Sequence, residues 1–122
     1  MTDKVCGVIL VVDDDAMNRE VMEAFLSAED YCVLLANSGE QALKLLTETT
    51  PDLVILDVRM PDMDGYQVCE AITRSYTIPV IIVSGYSEPE DAKRGMAAGA
   101  VDYIARPFNA DNFLERVHRW TK

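Results

Sequence analysis

The sequence predicts an α/β fold built on a doubly wound, five-stranded parallel sheet with helices on both faces. Three observations carry that prediction. Five short apolar runs alternate with five amphipathic segments along 122 residues, the strand–helix rhythm of a parallel sheet. Three of the runs (Val8-Ile9-Leu10-Val11-Val12, Leu53-Val54-Ile55-Leu56 and Val80-Ile81-Ile82-Val83) are apolar throughout and largely β-branched, as strands buried on both faces are. Two of these runs lead directly into aspartate, at Asp13 and Asp57, and the carboxyl edge of such a sheet is where ligands bind.

Each element follows from local chemistry. The first strand is expected over Gly7–Val12, and Asp15 caps the helix after it. Met17, Val21, Ala24 and Phe25 are spaced i, i+4, i+7, i+8 and predict that helix's buried stripe. The second run, Tyr31–Leu35, is mixed in polarity and reads as an edge strand. Ser38-x-x-Gln41 predicts a capping box at the second helix. The third strand, Leu53–Leu56, delivers Asp57 to its tip, with a Pro/Asp/Gly turn behind it. There Asp62 reads as a turn residue and Asp64 as an N-cap. The fourth strand, Pro79–Val83, precedes a second capping box, Ser87-x-x-Glu90, with Pro89 in the first helical turn, where its missing N–H costs little. Gly99 suits a helix end in the left-handed region. Val101–Ile104 is the fifth, edge strand. Ala110, Phe113, Leu114 and Val117 mark the last helix. Right-handed crossovers leave few topologies, and central strands one, three and four give the flavodoxin-like order 2-1-3-4-5. Residues 3–121 are expected to form one domain, with no linker, low-complexity tract or repeat. The chain stops soon after the last helix, so an output domain is expected as a separate molecule or as a part cut away.

Composition narrows the function. The chain is 49% apolar, enough for a core, and carries 21 acids against 11 bases for a net charge of −10. Direct nucleic-acid binding lacks its basic footprint, and an anionic membrane surface is disfavoured for the same reason. A bound metal ion or a cationic partner suits the chain better. No run reaches the roughly 20 apolar residues of a membrane span, and the N-terminal apolar run is too short for a signal peptide. Cys6, Cys32 and Cys69 form no pair motif and read as reduced, buried thiols in a cytoplasmic protein. His118, near the end of the last helix, reads as a surface residue.

The acids carry the chemistry. Asp13, Asp14 and Asp15 follow one central strand and Asp57 follows another, so their carboxylates gather at one sheet edge. They repel one another unless a cation joins them, which points to Mg²⁺ and phosphoryl chemistry on an aspartate. The segments Ile9-Leu10-Val11-Val12-Asp13-Asp14-Asp15, Asp52-Leu53-Val54-Ile55-Leu56-Asp57-Val58-Arg59-Met60-Pro61-Asp62-Met63-Asp64-Gly65, Pro79-Val80-Ile81-Ile82-Val83-Ser84-Gly85, Gly99-Ala100-Val101-Asp102-Tyr103 and Arg106-Pro107-Phe108 together resemble the receiver domain of two-component signalling, the CheY-like response-regulator family. The likeness runs from about Val8 to Val117.

The resemblance implies a set of roles. Asp57 takes a phosphoryl group from the phosphohistidine of a sensor histidine kinase or a histidine phosphotransfer protein. Asp13 and Asp14, with Asp57 and the backbone carbonyl of Arg59, hold Mg²⁺ or Mn²⁺. Ser84 is the switch hydroxyl and Tyr103 the switch aromatic. The face made by the fourth helix, fifth strand and fifth helix meets a downstream protein or a second copy. Such a domain is a phosphoacceptor rather than an enzyme, capable at most of Mg²⁺-dependent self-phosphorylation from small donors and slow self-dephosphorylation.

One position departs from the family. Arg106 stands where the family has Lys, before a Pro107 whose peptide bond is expected to be cis. Arg keeps the charge but is planar, longer and never neutral. Arg59 and Tyr86 occupy positions that tune phosphate loss, and their bulk predicts a phosphorylated lifetime of minutes to hours. Three other readings compete. Arg106 favours a pseudo-receiver that serves only as an interaction module. Asp13-x-Asp15 also fits a small aspartate-nucleophile phosphatase, although no Lys stands at the tip of the fourth or fifth run. A nucleotide-binding flavodoxin-like protein lacks a GxGxxG or P-loop.

Overall fold

A computed structural model describes residues 7–60, 63–84, 89–105 and 109–121. The five sheet strands are β1 (Val8–Val12), β2 (Cys32–Ala36), β3 (Leu53–Asp57), β4 (Val80–Ser84) and β5 (Asp102–Ala105). The helices are α1 (Ala16–Ser27), α2 (Gly39–Leu46), α3 (Gly65–Ser75), α4 (Pro89–Ala97) and α5 (Ala110–Thr121). The five strands are all parallel and stand in the order 2-1-3-4-5, as expected. Each strand begins or ends one residue later than its apolar run, and Asp57 and Ser84 are the last residues of their strands, at the tips expected of them. A two-residue ribbon, Arg59–Met60 against Met63–Asp64, was not foreseen. It is too short to leave a periodic signal.

Alternation along the central strands divides the core. Ile9, Val11, Ile55, Ile81 and Val83 face Met22 and Leu26 of α1 and Phe113 and Val117 of α5. Leu10, Val12, Val54, Leu56 and Ile82 face the other way, onto Ala42 and Leu46 of α2 and Val68, Cys69 and Ile72 of α3. Strands covered on both faces have no polar positions to spare, which is why β1, β3 and β4 read as unbroken apolar runs.

The caps follow the sequence closely. Asp15 accepts a hydrogen bond from the Met17 amide at 2.9 Å, and Asp64 accepts one from the Tyr66 amide at 2.9 Å. Ser38 Oγ accepts from the Gln41 amide at 3.1 Å. The return bond of that box shifts by one residue, from the Asn37 amide to Gln41 Oε1 at 2.7 Å. Pro89 opens α4. Ser87 lies outside the described residues. Gly99 has φ +103°, and a Cβ there would stand 2.4 Å from Thr73 Oγ1.

Three expectations need correction. On α1 the buried residues are Met22 and Leu26, with Phe25 half-buried, while Met17 and Val21 are 71% and 44% exposed and Ala24 is also exposed. The helix carries two apolar stripes, and of the residues chosen from spacing Met17, Val21 and Ala24 face outward while Phe25 packs against the core. Cys32 is exposed at the start of edge strand β2, whereas Cys69 is buried as expected. Cys6 lies outside the described residues. His118 is not a plain surface residue, because its Nδ1 lies 2.6 Å from the Tyr31 hydroxyl and ties α5 to the segment before β2. Among the described residues, no helix is long and apolar enough to cross a membrane.

Candidate functional site

The site is built where β1 and β3 end side by side. Val12 pairs with Leu56, so Asp13 and Asp57 leave adjacent strands at the same level. Asp13 is fully buried and Asp57 is 4% exposed. Asp14, in the loop beyond β1, is exposed. Carboxylate oxygens of Asp13, Asp14 and Asp57 lie within 4.8 Å of one another.

Backbone bonds fix the first acid. The Asp13 amide donates to the Ala36 carbonyl at 3.1 Å, which ties the strand end to β2. Asp13 Oδ1 accepts from the Asp15 amide at 2.9 Å, and the Arg19 guanidinium donates to the Asp13 carbonyl at 2.7 Å. Asp15 caps α1 and is not one of the converging three. The Asp13-x-Asp15 pair therefore brings no second acid to this point.

The loop after Asp57 is held by close contact. The Gly65 amide donates to the Val58 carbonyl at 3.4 Å. A Cβ on Gly65 would fall 2.2 Å from Val58 Cα, so only glycine lets α3 begin this near the β3 end. Asp64, the α3 cap, also binds Arg94 of α4 at 2.8 Å, and that guanidinium lies 4.3 Å from the Tyr66 ring centroid.

The remaining expected residues are distributed around the acids. Ser84 is 1% exposed and sits one position beyond Val83, the residue paired with Asp57. Tyr103 pairs with Ile82, is half-buried, and packs on the α2–α3 side of the core. Arg59 lies in the short ribbon, opposite Asp64. Arg106 and Pro107, with the expected cis bond, lie outside the described residues, as does Tyr86. The strand that leads to Arg106 ends at Ala105, level with Ser84.

The donor set suits a small divalent cation. Three hard carboxylates converge, two of them out of water, and burying like charges together is costly without a compensating cation. Sequence reading missed two residues that support this group. Arg19 is masked by its position among ordinary helix residues, and Arg94 contacts Asp64 across 30 positions of sequence.

Comparison with known proteins settles the family. The family model for the response regulator receiver domain matches residues 9–118. The chain belongs to the response regulator receiver domain family. This receiver domain is 40% identical over 101 residues to the transcriptional regulatory protein AfsQ1 of Streptomyces coelicolor, covering 83% of this chain and 44% of that protein. It is 37% identical over 109 residues to the response regulator GtcR of Aneurinibacillus migulanus, covering 89% and 45% of the two chains. The receiver domain thus spans less than half the length of the curated relatives it matches. Its fold overlays the receiver domain of NtrX from Brucella abortus with a TM-score of 0.88 at 31% identity, covering 93% of this chain and 97% of that one.

Proposed function

We propose that this receiver domain, taken as a single unit over residues 3–121, accepts a phosphoryl group on Asp57 and switches a protein-interaction face in response. The observation that carries the reading is the convergence of Asp13, Asp14 and Asp57 within 4.8 Å at the end of two central strands, with Ser84 one strand away. Mg²⁺ or Mn²⁺ held by Asp13, Asp14, Asp57 and the Arg59 carbonyl would neutralise charge between the acceptor and the incoming phosphoryl group. A carboxylate oxygen of Asp57 attacks phosphorus in line, and the P–N bond to the donor histidine breaks. The imidazole leaves with the electron pair. The Ser84 hydroxyl and the Arg106 guanidinium then donate to phosphoryl oxygens. Those bonds exist in only one state, which is what a shift in equilibrium requires. Tyr103 turns inward and the α4–β5–α5 face changes its partner preference.

The donor is a sensor histidine kinase or a histidine phosphotransfer protein, and the exposed Met17 and Val21 stripe beside the site offers it an apolar foothold. The output partner is a downstream protein or a second copy docking on α4–β5–α5, where Met96 is 51% exposed. The domain works in the cytoplasm, contacts no nucleic acid directly and turns over no external substrate. With the bulky Arg59 two positions after Asp57 and Tyr86 two positions after Ser84 in the sequence, the phosphorylated form lasts minutes to hours, and a half-life of seconds at neutral pH would contradict this.

A second reading rests on Arg106. In a pseudo-receiver that guanidinium pairs permanently with Asp57, and the domain acts only as an interaction module. Intact-protein mass spectrometry after exposure to Mg²⁺ and a small acyl phosphate separates the two. The receiver reading expects one added phosphoryl group, lost with a chelator and in Asp57→Asn. No adduct in the parent chain, with uptake restored by Arg106→Lys, establishes the pseudo-receiver.

A further inference from the structure

We propose that Arg94 is a latch that ties α4 to the loop behind Asp57, a positioning residue through which the state of the acceptor reaches the output face. The signalling part of the proposal rests on reading Asp57 as the phosphoacceptor and Tyr103 as the switch aromatic.

The first argument is where Arg94 is anchored. Its guanidinium donates to Asp64 Oδ2 at 2.8 Å and stands over the Tyr66 ring, 4.3 Å from the centroid. A cation beside a carboxylate and over an aromatic face is attracted to both. Both partners belong to the start of α3. Asp64 Oδ1 accepts from the Tyr66 amide at 2.9 Å, so one carboxylate caps α3 and holds α4 at once. Asp64 also pairs with Arg59 in the short ribbon, and the next amide, that of Gly65, donates to the Val58 carbonyl at 3.4 Å. From α4 to the acceptor the path is Arg94, Asp64, the Val58–Arg59 segment and Asp57, each step a contact or a peptide bond.

The second argument is that α4 is fixed at one end and lightly held here. Just past its last turn, the Ala98 carbonyl accepts from Thr73 Oγ1 at 3.0 Å and from the Cys69 thiol at 3.6 Å. Gly99 packs on Thr73 with no space for a side chain. That end is a pivot. About one helical turn earlier, Arg94 is mostly exposed. Beside it a groove of about 250 Å³ separates the two helices, lined in part by Gln67, Glu70 and Ala97, so α3 and α4 are not close-packed there. Exposed ion pairs and cation–π contacts are individually weak. A tight pivot and a weak latch on one helix make α4 a lever that rocks at its Arg94 end.

The third argument is what lies under that lever. A Cβ on Gly95 would stand 2.9 Å from Ile82 Cδ1, 3.7 Å from the Tyr103 ring and 3.8 Å from the Tyr66 ring. Tyr66, gripped by Arg94, and Tyr103 therefore flank the same point of α4. A shift of α4 at Gly95 is felt by both rings, one leading to the acceptor loop and the other to β5.

The test compares the full chain with Arg94→Gln, which removes the charge, and Arg94→Lys, which keeps it. Hydrogen exchange is followed in peptides from α4 and from the first turn of α3, before and after phosphoryl uptake from a small acyl phosphate with Mg²⁺. Uptake itself is read from the intact mass. In Arg94→Gln the two peptides should exchange roughly three- to ten-fold faster together, the scale of losing one exposed ion pair and one cation–π contact. Uptake should reach the parent's extent, while the change in α4 exchange that accompanies it should shrink by about half or more, because the coupling between the two places is reduced. Arg94→Lys should restore most of that change, since its charge serves both partners. An α4 response as large in Arg94→Gln as in the parent overturns the proposal. Faster exchange in α4 with the α3 start unmoved overturns it too, because no latch then joins them. If the parent takes up no phosphoryl group, the acceptor reading fails, and the tie between α4 and the loop stands or falls on whether the two peptides loosen together.

Discussion

At the residue scale, the site depends on contacts that leave no room for substitution. Gly65 is the sharpest case. Any Cβ there meets Val58 backbone at 2.2 Å, one residue from Asp57, and backbone cannot swing aside as a side-chain tip can. Gly65→Ala should cost about 1–3 kcal/mol, the usual range for overpacking, read from the denaturant midpoint. It should also slow phosphoryl uptake by moving the loop after Asp57. Parent-like stability and uptake would show that α3 can retreat. Cys69 allows a pH test. Burial, with the neighbouring Glu70 charge as a smaller cause, pushes its thiol from 9.0 up to about 11. The folded protein then holds the proton over a range where the unfolded chain has lost it. This contribution is fully present below pH 9 and is lost as pH rises through about 11. Cys69→Ala should flatten that alkaline decline. In a Cys6→Ser background at neutral pH, an alkylating reagent should modify exposed Cys32 quickly and Cys69 only on unfolding. Equal rates would contradict the burial.

At the scale of elements, α1 shows how legible the chain was and where reading stopped. Its existence and its Asp15 cap follow from local chemistry and were readable. Its buried face was not, because Met17, Val21 and Ala24 form one helical stripe and Met22 and Leu26 another, and periodicity alone cannot say which meets the sheet. The answer came from β1 and β3, which present Ile9, Val11 and Ile55 to the second stripe. The outward stripe then has a use. Met17→Glu and Val21→Glu should leave stability within about 0.5 kcal/mol of the parent, as exposed changes do. Both should slow transfer from a protein phosphohistidine by roughly ten-fold, the size of one interface anchor, without affecting uptake from a small acyl phosphate. Unchanged transfer from the protein donor would place the docking surface elsewhere. The last helix was readable because Phe113 and Val117 form its one apolar stripe, and both are fully buried.

At the scale of the whole molecule, the strand order and the positions of Asp13, Asp57 and Ser84 were legible because buried parallel strands leave an unmistakable apolar signature and end in their functional residues. Contacts between distant segments were not. The Tyr31–His118 bond spans 87 positions, and the Arg94–Asp64 pair joins α4 to α3, with no local pattern announcing either. The same logic places the chemistry. A chain of net charge −10 concentrates Asp13, Asp14 and Asp57 at one sheet edge, and on the proposed reading a cation there would make the Asp57 carboxylate usable as a phosphoryl acceptor. The most direct test is to phosphorylate the domain, reduce the acyl phosphate with borohydride and map the product by peptide sequencing in a mass spectrometer. The account predicts homoserine at position 57 and nowhere else. Reduction at Asp13, Asp14 or another acid, with Asp57 intact, would contradict it.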